Sequence, residues 1–173
     1  MKRISIVQGE QAVVSEPNVV VSTVLGSCVA VCLQDPVARV GGMNHFLLGE
    51  PSPDRPVPAA NMVRYGVHAM ELLINEMMKH GASRERLRAH LYGGATMIAG
   101  LGPIGRENAA FARRFVETEG IPVGHVDLGG DHARRVEFLP YDGRARSRQV
   151  ANAPPVAPPR PAPRPPLGDV ELF

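Results

Sequence analysis

Two residues carry most of the chemical potential of this chain, Cys28 and His45, seventeen positions apart. Cys28 ends the run Leu25-Gly26-Ser27-Cys28, and His45 follows Gly41-Gly42-Met43-Asn44. A thiol with an ordinary pKa of about 8.5 is mostly protonated at neutral pH and needs a basic neighbour to become a nucleophile. An imidazole can be that neighbour. A cysteine at the exit of a Gly-Ser turn brings its sulfur to a surface cleft, and backbone N–H groups of such a turn can face a developing oxyanion. The plainer alternative is a small buried cysteine and a packed histidine.

Cys32 lies four residues beyond Cys28. On a strand their sulfurs would be roughly 13 Å apart, too far for a disulfide or a shared metal. Val29-Ala30-Val31-Cys32-Leu33 reads as strand, so Cys32 is assigned to the core. No His/Cys set has zinc spacing. The glycine pairs at 41–42, 93–94 and 129–130 lack the GxGxxG or Walker Lys context of a nucleotide site and read as turns. His68, His80 and His90 read as solvent-facing or helix-end residues, while His125 and His132 flank the last glycine turn.

These residues must be held by an alternation of short strands and longer helices. RISIV, QAVVS, the two halves of NVVVSTVLGSCVAVCLQD broken near Gly26, and ARVGGMNHFLL read as strands. On the second half, Val29, Val31 and Leu33 would face one side, and Cys28, Ala30 and Cys32 the other. Pro51 to Pro58 is a Pro-rich loop. Residues 60–80 predict a helix on Val63, Val67, Met70, Leu73, Ile74 and Met77, closed at Gly81. RLRAHLY is a strand running into the turn GGATM. Residues 104–119 predict a second helix on Ile104, Asn108, Phe111 and Phe115. IPVGHVDLGG and ARRVEFLPYDGRARSRQV supply the last strands, with a hairpin turn at Asp142-Gly143. The expected class is α+β, with mainly antiparallel or mixed sheets and two main helices.

Composition bounds the partners. The 173 residues suggest one domain, 1–150, followed by a tail, 151–173. Eight of the eighteen residues in 151–168 are Pro, which predicts a disordered or polyproline-II linker, and the chain closes on DVELF, an acidic-apolar pentapeptide of docking type. Net charge is +2; the segment from Arg144 onward has five Arg against two acids, leaving 14 basic and 15 acidic residues before it. The basic character is therefore assigned to the tail, and no nucleic-acid partner is expected. No secretory leader, membrane-length apolar run or disulfide framework is present, so a cytoplasmic protein is expected.

The blocks LGSCVAVCLQDP, GGMNHFLL, YGGATM, IGRENA and GGDHARRVEF, in this order over roughly 4–143, resemble the chemoreceptor glutamine deamidase family, the CheD proteins of bacterial chemotaxis. The resemblance implies an α/β sandwich related to cysteine-dependent deamidase toxins. It implies hydrolysis of glutamine side chains to glutamate on the cytoplasmic helices of methyl-accepting chemotaxis receptors, with receptor methylesterase activity in some members. It maps the nucleophile onto Cys28, the histidine onto His45 and a third, orienting hydroxyl onto Ser22, with Thr23 beside it as the alternative. Backbone N–H groups near Ser27, Cys28 and Val29 would form the oxyanion hole. No metal or organic cofactor is implied. Gly93, Gly94, Gly129 and Gly130 are expected at the substrate rim, with His132, Arg134 and Arg135 facing acidic receptor residues. The family's binding of a CheC-type phosphatase gives the rival reading, a mainly non-catalytic partner of that phosphatase or of the receptor.

Overall fold

A computed structural model describes residues 1–48, 59–97 and 103–150. The Pro51–Pro58 loop, the Pro-rich tail and DVELF lie outside the described residues. The strands are β1 (Lys2–Ser5), β2 (Gln11–Val14), β3 (Val19–Leu25), β4 (Val29–Asp35), β5 (Val40–Asn44), β6 (Arg88–Gly93), β7 (Val123–Leu128), β8 (Arg134–Leu139) and β9 (Arg144–Gln149). Two helices, α1 (Ala59–Lys79) and α2 (Ile104–Thr118), complete the frame.

The strands form two sheets, β1-β3-β8-β9 and β2-β5-β4-β6-β7. The pairs β1–β3 and β6–β7 are parallel and the other five antiparallel, so both sheets are mixed. Both helices pack on the five-stranded sheet. The order of layers is four-stranded sheet, five-stranded sheet, helices, which makes the chain an α+β sandwich as expected.

The centre of this stack is β4, buried at all seven positions. Val29, Val31 and Leu33 enter the core shared with the helices, and Ala30 and Cys32 the core between the sheets, with Cys28 packed against it. A strand covered on both faces needs the continuous apolar run this segment has. Cys32 is fully buried there, as assigned.

On α1 the inward seam is Gly66, Met70, Leu73, Ile74 and Met77. Val63 and Val67, predicted on it, are 46% and 38% exposed; they lie off the seam that Gly66 and Met70 define. Gly66 is required there because a Cβ would crowd Phe111 and Leu48. Gly81 does close the helix, with φ of 102°. His90 is also corrected: it is half-buried, its Nε2 2.8 Å from the carbonyl of Gly143, and its Nδ1 accepts the His125 N–H at 2.9 Å. It ties the β8–β9 turn to β6.

Candidate functional site

The turn Gly26-Ser27-Cys28 passes the chain from the four-stranded to the five-stranded sheet, so Cys28 sits at the seam between them. His45 reaches the same seam from β5. The β4–β5 ladder pairs Cys32 with Met43 and, after a gap, resumes at Val29 and Phe46, whose backbones exchange two hydrogen bonds of 2.9 and 3.0 Å. In this register Ala30 stands opposite His45, so His45 and Cys28 share the face that looks at the four-stranded sheet, in diagonal positions. Within the gap the Val31 N–H turns to the Asn44 side chain at 3.0 Å, and the His45 backbone pairs with the β1–β2 loop through Gly9 and Glu10. Gln8 of that loop accepts from the thiol, its Oε1 3.7 Å from Cys28 Sγ.

The histidine is buried and oriented. Thr23 Oγ1 lies 2.7 Å from His45 Nδ1 and 2.8 Å from the Ile6 carbonyl oxygen. That carbonyl can only accept, so the threonine proton goes to it and Oγ1 accepts from Nδ1–H. The tautomer this selects leaves Nε2 with its lone pair free, the form a general base requires. Ser22 is elsewhere: its Oγ lies 3.4 Å from Ser5 Oγ on the outer face of the four-stranded sheet. Of the two hydroxyls left open by sequence, Thr23 is therefore the one against His45.

Burial holds His45 down to a pKa of about 4 and pushes the Cys28 thiol up to about 11. Both shifts have the same cause, the cost of a charge away from water. At neutral pH the site holds a thiol and a neutral imidazole rather than a preformed ion pair.

The Cys28 loop is braced from two sides. The carbonyl of Cys28 accepts the Gly94 N–H at 2.9 Å. Gly129 N–H donates to Gly93 and Thr96 N–H to Gly130, each at 2.8 Å, so the two predicted rim turns are one hydrogen-bonded unit behind the thiol loop. Gly93 has φ of 109°, and a Cβ there would overlap the Cys28 carbonyl oxygen, so only glycine serves. From the other side comes Asn108, which is 1% exposed. Its Nδ2 donates to the Ser27 carbonyl at 2.8 Å and its Oδ1 accepts the Leu48 N–H at 3.1 Å. One amide thus clamps the thiol loop to the chain just past His45. Sequence reading placed Asn108 on the packed face of α2 but assigned it no role; a lone amide in an apolar stripe was the available signal.

Two expectations are corrected. The Val29 N–H is spent on Phe46 and is not an oxyanion donor; the N–H groups of Ser27 and Cys28 have no acceptor among the described residues. Arg134 is not on the rim surface. It is buried, ion-paired to Asp127 at 2.9 Å, and it also donates to the Asp127 and Gly129 carbonyls, anchoring the 129–130 turn. His132 is exposed and pairs with Asp131, 2.5 Å away. Beside His45 a cleft of about 380 Å³ opens between the β1–β2 loop and α1, lined by Gln8, Glu10, His45, Tyr65, His68 and Leu72. No group of three or more His, Cys, Asp or Glu side chains suited to a metal occurs among the described residues.

The model of the CheD family, described as CheD chemotactic sensory transduction, matches residues 47–149. The chain belongs to the CheD family. A Zymomonas mobilis relative, a probable chemoreceptor glutamine deamidase CheD, is 59% identical over 90% of this chain and 84% of its own. Relatives with the same description from Agrobacterium fabrum and Caulobacter vibrioides are 51% and 52% identical, each over 99% of this chain and 97% and 93% of their own. These last two alignments include the Cys28–His45 segment, which the family-model match does not reach. Among solved structures, a Neisseria meningitidis protein of the DUF152 family overlaps with a TM-score of 0.42 at 14% identity, over 70% of this chain and 52% of that one. No helix among the described residues is long and apolar enough to cross a membrane.

Proposed function

We propose that this CheD chain hydrolyses glutamine side-chain amides of chemoreceptors to glutamates, with Cys28 as nucleophile and His45 as base. The observation that carries this reading is the Thr23–His45 contact of 2.7 Å, because it frees Nε2 on the face Cys28 shares. The deamidase names of relatives 51–59% identical supply the substrate.

In this mechanism His45 Nε2 takes the Cys28 proton as the sulfur attacks the amide carbon. A neutral pair suits this concerted transfer, since neither charge exists before substrate excludes water. The Ser27 and Cys28 N–H groups receive the oxyanion; one such donor is typically worth about 3 kcal/mol. The imidazolium returns its proton to the departing nitrogen, releasing ammonia and leaving a thioester. Water, deprotonated by the neutral imidazole, then attacks the thioester, expels the thiolate, which regains its proton, and yields glutamate. None of these steps calls on a metal or organic cofactor.

The test is incubation of a purified receptor cytoplasmic fragment with the wild-type chain and with Cys28→Ala, followed by peptide mass spectrometry. Conversion of Gln to Glu by the wild type alone supports the reading. Conversion by both proteins, or by neither over several receptors, overturns it.

A further inference from the structure

The outer face of the four-stranded sheet is a basic platform. Val136 and Phe138 of β8 point into the inter-sheet core, so Arg135, Glu137 and Leu139 point out. The β8–β9 register then places Arg144, Arg146 and Arg148 on the same outward face. Arg3 joins them from β1, in contact with Glu137. Among the described residues of these strands, five arginines thus share one face with a single carboxylate, Glu137, which is already bonded to both Arg3 and Arg146. Three of the five, Arg144, Arg146 and Arg148, lie in β9, so the basic character assigned to the tail belongs largely to the folded sheet.

One feature of this face works against folding. Arg135 and Arg148 stand directly opposite each other in the β8–β9 ladder, and neither has a carboxylate partner among the described residues. Like charges directly opposite on one sheet face are destabilising. A local rule broken without compensation inside the fold points to a compensating group outside it. Val24 pairs with Arg135 from the other side and is 45% exposed, an apolar contact that suits a protein surface better than a phosphate backbone. Val24 is also two residues before Gly26, which begins the Cys28 turn, so this end of the platform borders the candidate site.

From this juxtaposition we infer that the outer sheet face around Arg135, Arg148 and Val24 docks an acidic surface of the protein substrate, aligning it with the Cys28 turn. The inference rests on the receptor-deamidase reading for the identity of that substrate. Arginine suits the role because its planar fork pairs with carboxylates bidentately.

Arg148→Glu gives a test in which stability and binding move in opposite directions. It converts the Arg135–Arg148 repulsion into an opposite-charge pair, so Tm should rise by about 1–3 °C. The affinity of the full chain for a labelled receptor cytoplasmic fragment, measured by fluorescence anisotropy in the Cys28→Ala background to prevent turnover, should fall at least tenfold in low salt. Its salt dependence should flatten as well. Arg114→Glu, the same charge change on the exposed side of α2, should shift affinity by less than twofold. Equal affinity for Arg148→Glu and its parent overturns the inference, as does an equal loss in Arg114→Glu. So does tighter capture of a DNA duplex or anionic vesicles than of the fragment. Face-dependent binding without any Gln-to-Glu conversion by the wild type would leave the docking surface standing and remove the deamidase chemistry.

Discussion

Ser22 and Thr23 are neighbours on β3 and point to opposite faces of its sheet: Ser22 meets Ser5 outside, and Thr23 meets His45 inside. The alternation of a strand makes the two hydroxyls non-equivalent. Thr23→Val, which keeps the shape and removes the acceptor for Nδ1–H, should lower kcat on the order of 10²-fold. Thr23→Ser should recover most of the rate, and Ser22→Ala should stay within about twofold of wild type. Steady-state deamidation of a receptor fragment reads all three, and an equal loss in Ser22→Ala would reassign the orienting role.

The two cysteines should separate cleanly. Cys28→Ala should abolish turnover, a loss of about 10⁴-fold or more. Cys32→Ser should retain activity while costing about 1–3 kcal/mol in urea unfolding, because a hydroxyl replaces a fully buried sulfur. With the Cys28 thiol held up to about 11, iodoacetamide labelling at pH 7 should be slow, confined to Cys28, and faster as the pH is raised.

His45 links pH to stability. Its folded pKa of about 4 lies below the ordinary 6.5, so the unfolded chain binds the proton more readily. Stability is then complete above about pH 6.5 and falls as the pH drops from there towards 4, by on the order of 3 kcal/mol. Urea unfolding at pH 4.5 and 7.5 should show this loss in the wild type and a smaller one in His45→Gln. The acid limb of kcat/KM should likewise lie near pH 4, leaving activity flat from about pH 5 to 8.

Asn108→Ala removes the clamp between the Ser27 carbonyl and the Leu48 N–H and should cost about 1–3 kcal/mol of stability. Asn108→Asp keeps the acceptor for Leu48 and loses the donor to Ser27. If the clamp positions the thiol loop, Asn108→Asp should lower kcat tenfold or more with KM little changed. A change in stability alone would mark Asn108 as purely structural.

Gly93→Ala should be among the most damaging single changes, costing about 3 kcal/mol or more, since its Cβ would strike the Cys28 carbonyl and φ is positive. Gly129→Ala, with open space around the Cβ but the same positive φ, should cost about 1–2 kcal/mol. Parallel thermal melts of the two variants would rank them.

Much of this protein is local and therefore legible in its sequence. Period-two and period-3.6 apolar patterns marked the strands and both helices, and the Gly-Ser turn before Cys28 marked the thiol at the seam between the sheets. The family resemblance named Cys28 and His45 together. What the sequence left open depends on through-space neighbours. The choice of Thr23 over Ser22 follows from which face of β3 meets β5. The burial of Arg134, the clamp by Asn108 and the loss of Val29 as an oxyanion donor each follow from partners far along the chain. Of the basic platform, sequence reading named Arg135 alone; its other arginines are spread over β1 and β9, and only the register between strands that are distant or reversed in sequence gathers them on one face.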